Sequence, residues 1–366
     1  MKKHIIQSTL IVFCLLSSIN TAIAQDGKIL NIVVHSPSLE NNLFNDSPDR
    51  NVMIYLPPSY DTDPEMLYPV VYLLHGYGAS NGDWAEEFNA MKPWLKEKRV
   101  KEMILVAPNC QNWIWGNYYS NSAVGRWADF VARDLVNYMD DHYRTLPQRD
   151  SRAILGHSMG GNGAFTIGIF YPEVFGCIGG LAGDFCFDDS YMENFKTDFA
   201  EASIVKAQSD VHSWNVAWLT AMCTGYLPNP DSPPFYCDYP FAYKNDGSRE
   251  IIKNQKAYDM FLSYSAVDLA EKNLVALLDM KAIYINCGTK DDPFTLRGCR
   301  KLHEKLDNLG VKHVYEEFDG DHTCCVTNST GNILEVFSKA MAFEILTSVE
   351  LKGKIAIAWG HIRSVQ

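Results

Sequence analysis

Beyond its first two dozen residues the chain lacks any apolar stretch approaching the ~20 residues that a membrane-spanning helix needs, so a soluble product is expected. It is also short of basic residues, with 32 Lys and Arg against 44 Asp and Glu and a formal charge of −12. An acidic surface repels phosphate backbones and anionic lipid, which argues against nucleic-acid partners and membrane insertion. No Cys-x-x-Cys pair or Cys/His zinc spacing occurs, and repeats, low-complexity tracts and linker-like Pro/Ser-rich segments are missing between residues 28 and 348. One compact unit without a structural metal is the simplest account.

What is present begins with a leader. Lys2 and Lys3 precede the apolar run from Ile11 to Leu16, polar Ser17, Ser18 and Asn20 follow it, and Ala22-Ile-Ala24 supplies an A-x-A cleavage site. Residues 1–24 therefore read as a cleavable signal peptide, and the expected location is secreted or periplasmic. Loss of this segment takes Lys2, Lys3 and Cys14 with it, leaving a charge of −14 and nine cysteines, at 110, 177, 186, 223, 237, 287, 299, 324 and 325. Export permits disulfides, but an odd count leaves at least one thiol free and the spacing does not give the pairing.

Short β-branched runs alternate with longer helical patterns. The strand candidates are Arg50 to Leu56, Pro69 to Leu74, Met103 to Ala107, Arg152 to Leu155, Ala282 to Asn286 and His313 to Phe318; helical spacing runs from Trp127 to Tyr143 and from Phe294 to Leu309. Such alternation predicts an α/β fold, a mostly parallel sheet with helices on both faces, in which ligands bind at the carboxyl ends of the strands. From about Asp184 to Ala276 the alternation breaks into an aromatic and Pro-containing stretch, read as a cap-like insertion over the strand ends that either lines a pocket or simply packs.

Gly156-His-Ser158-Met-Gly160 matches G-x-S-x-G, but so does Gly78-Ala-Ser80-Asn-Gly82. Context separates them. Ser158 follows a strand directly and opens the small-residue run Gly160-Gly-Asn-Gly-Ala164, as a strained strand-to-helix elbow requires. Ser80 has no oxyanion loop upstream of it. His75-Gly-Tyr-Gly78 stands directly after an early core strand, where amides for a tetrahedral oxyanion belong, and the predicted donors are the N–H groups of Tyr77 and Met159.

A serine hydroxyl needs a histidine to take its proton and a carboxylate to orient that histidine, in chain order Ser, acid, His. His322 follows a late strand through Asp319-Gly-Asp321, whereas His303 falls in a predicted helix, His313 starts a strand, His361 sits in the tail and His212 precedes any suitable acid. For the acid, Asp291 and Asp292 both follow the strand from Ala282 to Asn286; Asp291 is favoured because Asp292 can cap the helix that Pro293 begins. The grouping of Asp319, Asp321, His322, Cys324 and Cys325 fits no zinc or calcium spacing, so neither a metal nor another cofactor is expected.

Read together, Tyr72-Leu-Leu-His-Gly-Tyr-Gly78, Arg133-Asp-Leu-Val136 with Tyr143-Arg-Thr145, Gly156-His-Ser-Met-Gly-Gly161, Asn286-Cys-Gly-Thr-Lys-Asp291 and Gly320-Asp-His322 resemble the esterase group of α/β-hydrolases. That group includes feruloyl and acetyl xylan esterases, S-formylglutathione hydrolases and mycobacterial mycolyltransferases, and the likeness covers most of residues 45–345. It implies an α/β-hydrolase catalytic domain over 25–348, a tail over 349–366, and cleavage of carboxylic esters by Ser158, Asp291 and His322. Export favours a small-molecule or polysaccharide ester, feruloyl or acetyl, over a cytosolic thioester. By the same resemblance Trp113, Trp115, Tyr118 and Tyr119 lie where such enzymes build part of the acyl or sugar site, although the four could equally pack under the insertion. Acyl transfer to an alcohol, and non-catalytic carbohydrate binding on a hydrolase scaffold, are the alternatives.

Overall fold

Parallel strands buried on both faces read as continuous apolar runs, and Val70–Leu74 and Ile104–Pro108 are buried at every position. The computed structural model describes residues 26–345, and the expected leader and tail fall outside them. Eight strands make the main sheet: β1 (Lys28–His35), β2 (Asp49–Leu56), β3 (Val70–Leu74), β4 (Ile104–Pro108), β5 (Arg152–His157), β6 (Cys177–Leu181), β7 (Ala282–Gly288) and β8 (Val314–Phe318). Their order is β1-β2-β4-β3-β5-β6-β7-β8. Pairing is antiparallel at β1–β2 and β2–β4 and parallel from β4 to β8. This is the mostly parallel α/β-hydrolase arrangement that the sequence predicts.

Side chains alternate across the sheet with the period of two that a strand imposes. Val70, Tyr72 and Leu74 of β3 join one apolar cluster, with Phe165 and Ile169 of the helix after β5. Val71 and Leu73 join the cluster on the other face, with Phe88, Met91 and Trp94 of α1 (Ala85–Lys96) and Ile333, Leu334 and Phe337 of the last helix.

The sequence reading misses two strands. In β1 polar and apolar residues alternate at an exposed edge, and β6 carries two glycines in five residues, Cys-Ile-Gly-Gly-Leu. The single helix predicted over 127–143 is three pieces: a turn at Trp127–Asp129, a wider turn at Phe130–Asp134, then α2 (Leu135–His142). Between β6 and β7 lie short helices, including α4 (Trp214–Tyr226), and a small hairpin of Phe241–Tyr243 with Ile251–Lys253. The longer helices beside the sheet are α3 (Met159–Phe170) after β5, α5 (Pro293–Asn308) between β7 and β8, and α6 (Val326–Ala340) after β8. Cys324 and Cys325 are disulfide-bonded to each other, and the other seven described cysteines are buried thiols. Among the described residues no helix is long and apolar enough to cross a membrane.

Candidate active site

Ser158 sits between β5 and α3 with φ 57° and ψ −122°, a left-handed conformation that costs energy for a residue with a side chain. Its neighbours make the turn feasible. A Cβ on Gly156 would stand 2.1 Å from the Gly160 carbonyl oxygen, and one on Gly160 would stand 2.0 Å from that of Leu74. Both glycines of the motif are therefore steric requirements of this packing. The Ser158 N–H donates to the Leu181 carbonyl at 2.8 Å, which ties the elbow to the end of β6. Ser80 has a different role: its hydroxyl accepts from the Gly82 N–H at 3.3 Å and caps the turn Asn81–Trp84.

Three loops at the carboxyl ends of β5, β7 and β8 bring Ser158, Asp291 and His322 together. His322 Nε2 is 2.9 Å from Ser158 Oγ, and His322 Nδ1 is 2.9 Å and 3.1 Å from the two Asp291 oxygens. The Asp291 side chain is fully buried, whereas that of His322 is 36% exposed and open to a ligand. Asp292 turns away, and its Oδ1 accepts from the Phe294 N–H at 2.8 Å to cap α5. The loops that carry Asp291 and His322 are pressed together: a Cβ on Gly288 would lie 2.2 Å from the Gly320 carbonyl oxygen, and the Lys290 N–H donates to that oxygen at 2.9 Å. Burial works to lower the His322 pKa, but the hydrogen bond and charge of Asp291, with Asp184 and Asp292 nearby, outweigh it and leave the imidazole raised above 6.5.

The turn after β3 faces Ser158 closely enough that a Cβ on Gly76 would come within 3.3 Å of the serine Cβ. His75 fixes it from beneath. Its Nδ1–H donates to the Gly76 carbonyl at 2.8 Å and its Nε2 accepts the Cys110 N–H at 2.9 Å, so the ring is neutral, and burial holds its pKa down at about 4. Above, the Tyr77 hydroxyl donates to the Ile114 carbonyl at 2.8 Å, and the Gly78 N–H donates to the Trp115 carbonyl at 2.9 Å. Among the described residues the backbone N–H groups of Tyr77 and Met159 have no internal acceptor, and the second is the first residue of α3, where the helix dipole favours negative charge.

Residues 47–325 match the family model described as "Putative esterase". The chain belongs to this esterase family. The Mycobacterium tuberculosis H37Rv esterase Rv1288 is 25% identical over 292 residues, 75% of this chain and 52% of that protein. The endo-1,4-beta-xylanase/feruloyl esterase of Xylanibacter ruminicola is 27% identical over 141 residues, 36% of this chain and 19% of that protein. The chain thus spans about half the length of the mycobacterial relatives that it matches. A ferulic acid esterase structure superposes with a TM-score of 0.62 at 20% identity, covering 87% of this chain and 100% of that one. An S-formylglutathione hydrolase from Agrobacterium tumefaciens gives 0.57 at 19% identity, covering 88% and 98%. These structural likenesses concern the fold.

Two cavities of the chain meet at Ser158, Tyr77 and His322. One, of about 490 Å³, runs between α1 and the start of α6 and reaches Trp84 and Thr327. The other, of about 680 Å³, lies under the insertion and is lined by Tyr191, Phe195, Trp214, Trp218 and Phe294. The predicted substrate aromatics need correction here. Tyr118 and Tyr119 are each 1% exposed, and left-handed backbone, φ 50° and 54°, turns both rings into the core. The Tyr119 hydroxyl donates to the His75 carbonyl at 2.8 Å, so it supports the turn after β3 instead of facing a cavity. Trp113 stacks on Phe235, 5.9 Å between centroids, and Trp115 stacks on Trp214 at 5.3 Å, so only through Trp214 does the latter bear on the cavity.

Sequence reasoning missed Asp184, which follows β6 and lines the larger cavity with Ser158 and His322. It is 8% exposed; the Tyr118 hydroxyl donates to its Oδ2 at 3.0 Å, and the Trp218 indole N–H donates in turn to that hydroxyl. Burial pushes its pKa up to about 6 against the pull of His322 and Tyr118. The missed signal was a carboxylate at a strand end, hidden because the strand itself was not read.

Proposed function

We propose that this chain hydrolyses carboxylic esters with Ser158 as nucleophile, His322 as general base and acid, and Asp291 as the group that orients and charges-balances the imidazole. The observation that carries the reading is the continuous contact from Asp291 through His322 to Ser158, both links at 2.9 Å. As Ser158 Oγ bonds to the ester carbonyl carbon, its proton passes to His322 Nε2. The oxyanion then accepts from the Tyr77 and Met159 amides. Collapse breaks the bond to the alcohol oxygen, which takes the proton from His322. Water, losing a proton to the same nitrogen, attacks the acyl-enzyme, and release of the acid returns the proton to Ser158.

Feruloyl or acetyl esters of plant polysaccharide are the substrates we assign. Support comes from the aromatic and carboxylate lining of the larger cavity, which suits a ring carrying hydroxyls, and from the feruloyl esterases among the similar proteins. The leader read over 1–24 puts the activity outside the cytoplasm. Ser158→Ala should lower turnover of an aryl ester by ~10³-fold or more and abolish labelling by a fluorophosphonate, with the fold intact by circular dichroism. Retained labelling or turnover in that variant overturns the assignment. A panel of methyl ferulate, acetylated xylan and simple aryl esters tests the substrate class.

A further inference from the structure

We propose that His303, Asp307 and His313 bind a divalent transition-metal ion that staples the end of α5 to the start of β8. His303 and Asp307 are one turn apart, at i and i+4 of α5, so both project from the same side of the helix. The chain then reverses through Gly310, φ 69°, and brings His313 back alongside. His303 Nδ1 and His313 Nε2 are 2.8 Å apart, and the Asp307 carboxylate oxygens lie 3.6 Å from His303 Nε2 and 3.9 Å from His313 Nε2. With one donor atom taken from each residue, all three lie within 4.8 Å of one another. Metal–ligand lengths of about 2.0–2.2 Å around a tetrahedral ion put the donors roughly 3.3 Å apart, within the 4.8 Å that a set of one donor from each residue spans; His303 would supply one of its two nitrogens to that set.

Two details separate this cluster from a chance meeting of polar side chains. His313 Nδ1 is 2.9 Å from the Val311 carbonyl and donates to it, which leaves the Nε2 lone pair aimed at the cluster. That outer hydrogen bond is the arrangement by which metal-binding histidines are held in one tautomer. The His303 ring is stacked on Tyr315, 4.5 Å between centroids at 12°, so its plane is fixed as well. His303 Nδ1 and His313 Nε2 share a hydrogen bond, the N–H of one ring donating to the lone pair of the other. An ion would replace that hydrogen bond, taking a lone pair from each ring. The His313 side chain is 2% exposed and that of Asp307 62%, so the site has a buried wall and a side open to entering ions and to water ligands. Two imidazoles and one carboxylate suit Zn²⁺, Co²⁺ or Ni²⁺ better than Mg²⁺ or Ca²⁺.

The site stands apart from the chemistry, because His313 precedes β8 whereas His322 follows its carboxyl end. Its effect would be mechanical. α5 begins two residues after Asp291, and β8 ends four residues before His322, so a staple at their far ends holds the unit that carries both.

Thermal unfolding of the full chain with Zn²⁺ and with Ca²⁺, in wild type, His303→Ala and Asp307→Asn, tests this. At a hundredfold excess over Kd, Zn²⁺ should raise the wild-type Tm by about 5 °C, and the shift should fall below ~1 °C in both variants. Asp307 is exposed and His303 part-buried, both away from Ser158, and metal-free aryl-ester turnover should be equal in all three proteins, which checks that they are folded. Co²⁺ should give visible absorption bands of a tetrahedral ion in wild type that His303→Ala loses. No Zn²⁺-dependent shift in wild type, an equal shift in the variants, or an equal shift from Ca²⁺ would each overturn the proposal.

Discussion

His157 donates its Nε2–H to the backbone carbonyl of His322 at 2.8 Å, so the residue before the proposed nucleophile holds the backbone of the proposed base. The two rings lie 4.9 Å apart. The loop is tightened by the Asp321 side chain, which accepts from the Thr323 and Cys324 amides, and the carbonyl contact ties its backbone to the elbow beside the side-chain bond from His322 to Ser158. His157→Ala should lower kcat about 10-fold, the equivalent of ~1.4 kcal/mol, with KM changed much less. A glutamine can present an amide N–H to the same carbonyl. His157→Gln should therefore recover most of the loss, and a Gln variant as impaired as the Ala variant would refute this role for the ring.

The same histidine has a stability signature. Burial, with the nearby His322 charge, holds the His157 pKa down at about 4, below its ordinary 6.5. A neutral imidazole in the folded chain against one that protonates when unfolded means that the full contribution is present above pH 6.5. It is lost as pH falls from there through about 4, because the unfolded chain binds the extra proton. Glutamine does not titrate. The stability gap between wild type and His157→Gln should therefore move against wild type by on the order of 3 kcal/mol over that window, measured by urea unfolding at a series of pH values. A gap independent of pH would mean that the ring is not buried neutral.

For activity the sign is opposite in origin. His322 must be neutral to accept the Ser158 proton, so kcat/KM should rise with pH through a value above 6.5 and be lost below it. Asp291→Asn removes the partner that raises this pKa while leaving the burial that lowers it. The limb should shift to lower pH, and turnover at its plateau should fall ~10³–10⁴-fold as the imidazole loses its tautomer and its counter-charge. Asp292→Asn, which weakens the cap of α5 and removes a more distant charge from His322, should cost less than ~10-fold. Equal losses in the two variants would disprove the division of labour between these carboxylates.

How much of this was legible depended on whether residue type alone decides the geometry. Gly156, Gly160 and the strand before Ser158 could be read because no other residues make that elbow, and Asp292 could be set aside because Pro293 announced the helix that it caps. Ring direction could not be read. Tyr118 and Tyr119 have the composition of a binding loop, but two consecutive left-handed residues send them inward, and backbone angles of that kind leave no mark in the residue names. Nor could β6: its Gly180 makes room for Phe185, whose ring would meet a Cβ there at 2.6 Å, and a Cβ on its Gly179 would stand 3.0 Å from Ile333 and Leu155, so packing demands from outside the strand erased the strand signal. Asp184 was lost with it.

Asp184 supplies the last prediction. The larger cavity also holds Asp198 and Asp292, and among the described residues no Lys or Arg lines it. A substrate bringing its own negative charge to this space meets like charge in a partly desolvated setting, where two ions about 4 Å apart interact by ~1–4 kcal/mol. Neutral esters should therefore be preferred over anionic analogues. Asp184→Asn should improve kcat/KM for a sulfonate-bearing aryl ester relative to its uncharged counterpart by about 10-fold at roughly pH 8, where the wild-type carboxyl is ionised. Since the Asp184 pKa is raised to about 6, protonation in wild type should make the advantage shrink as pH falls through that value. The sulfonate does not titrate over this range, so the change in preference reports on the enzyme. An advantage that persists unchanged below the Asp184 pKa would assign the charge selection to Asp198 or Asp292 instead.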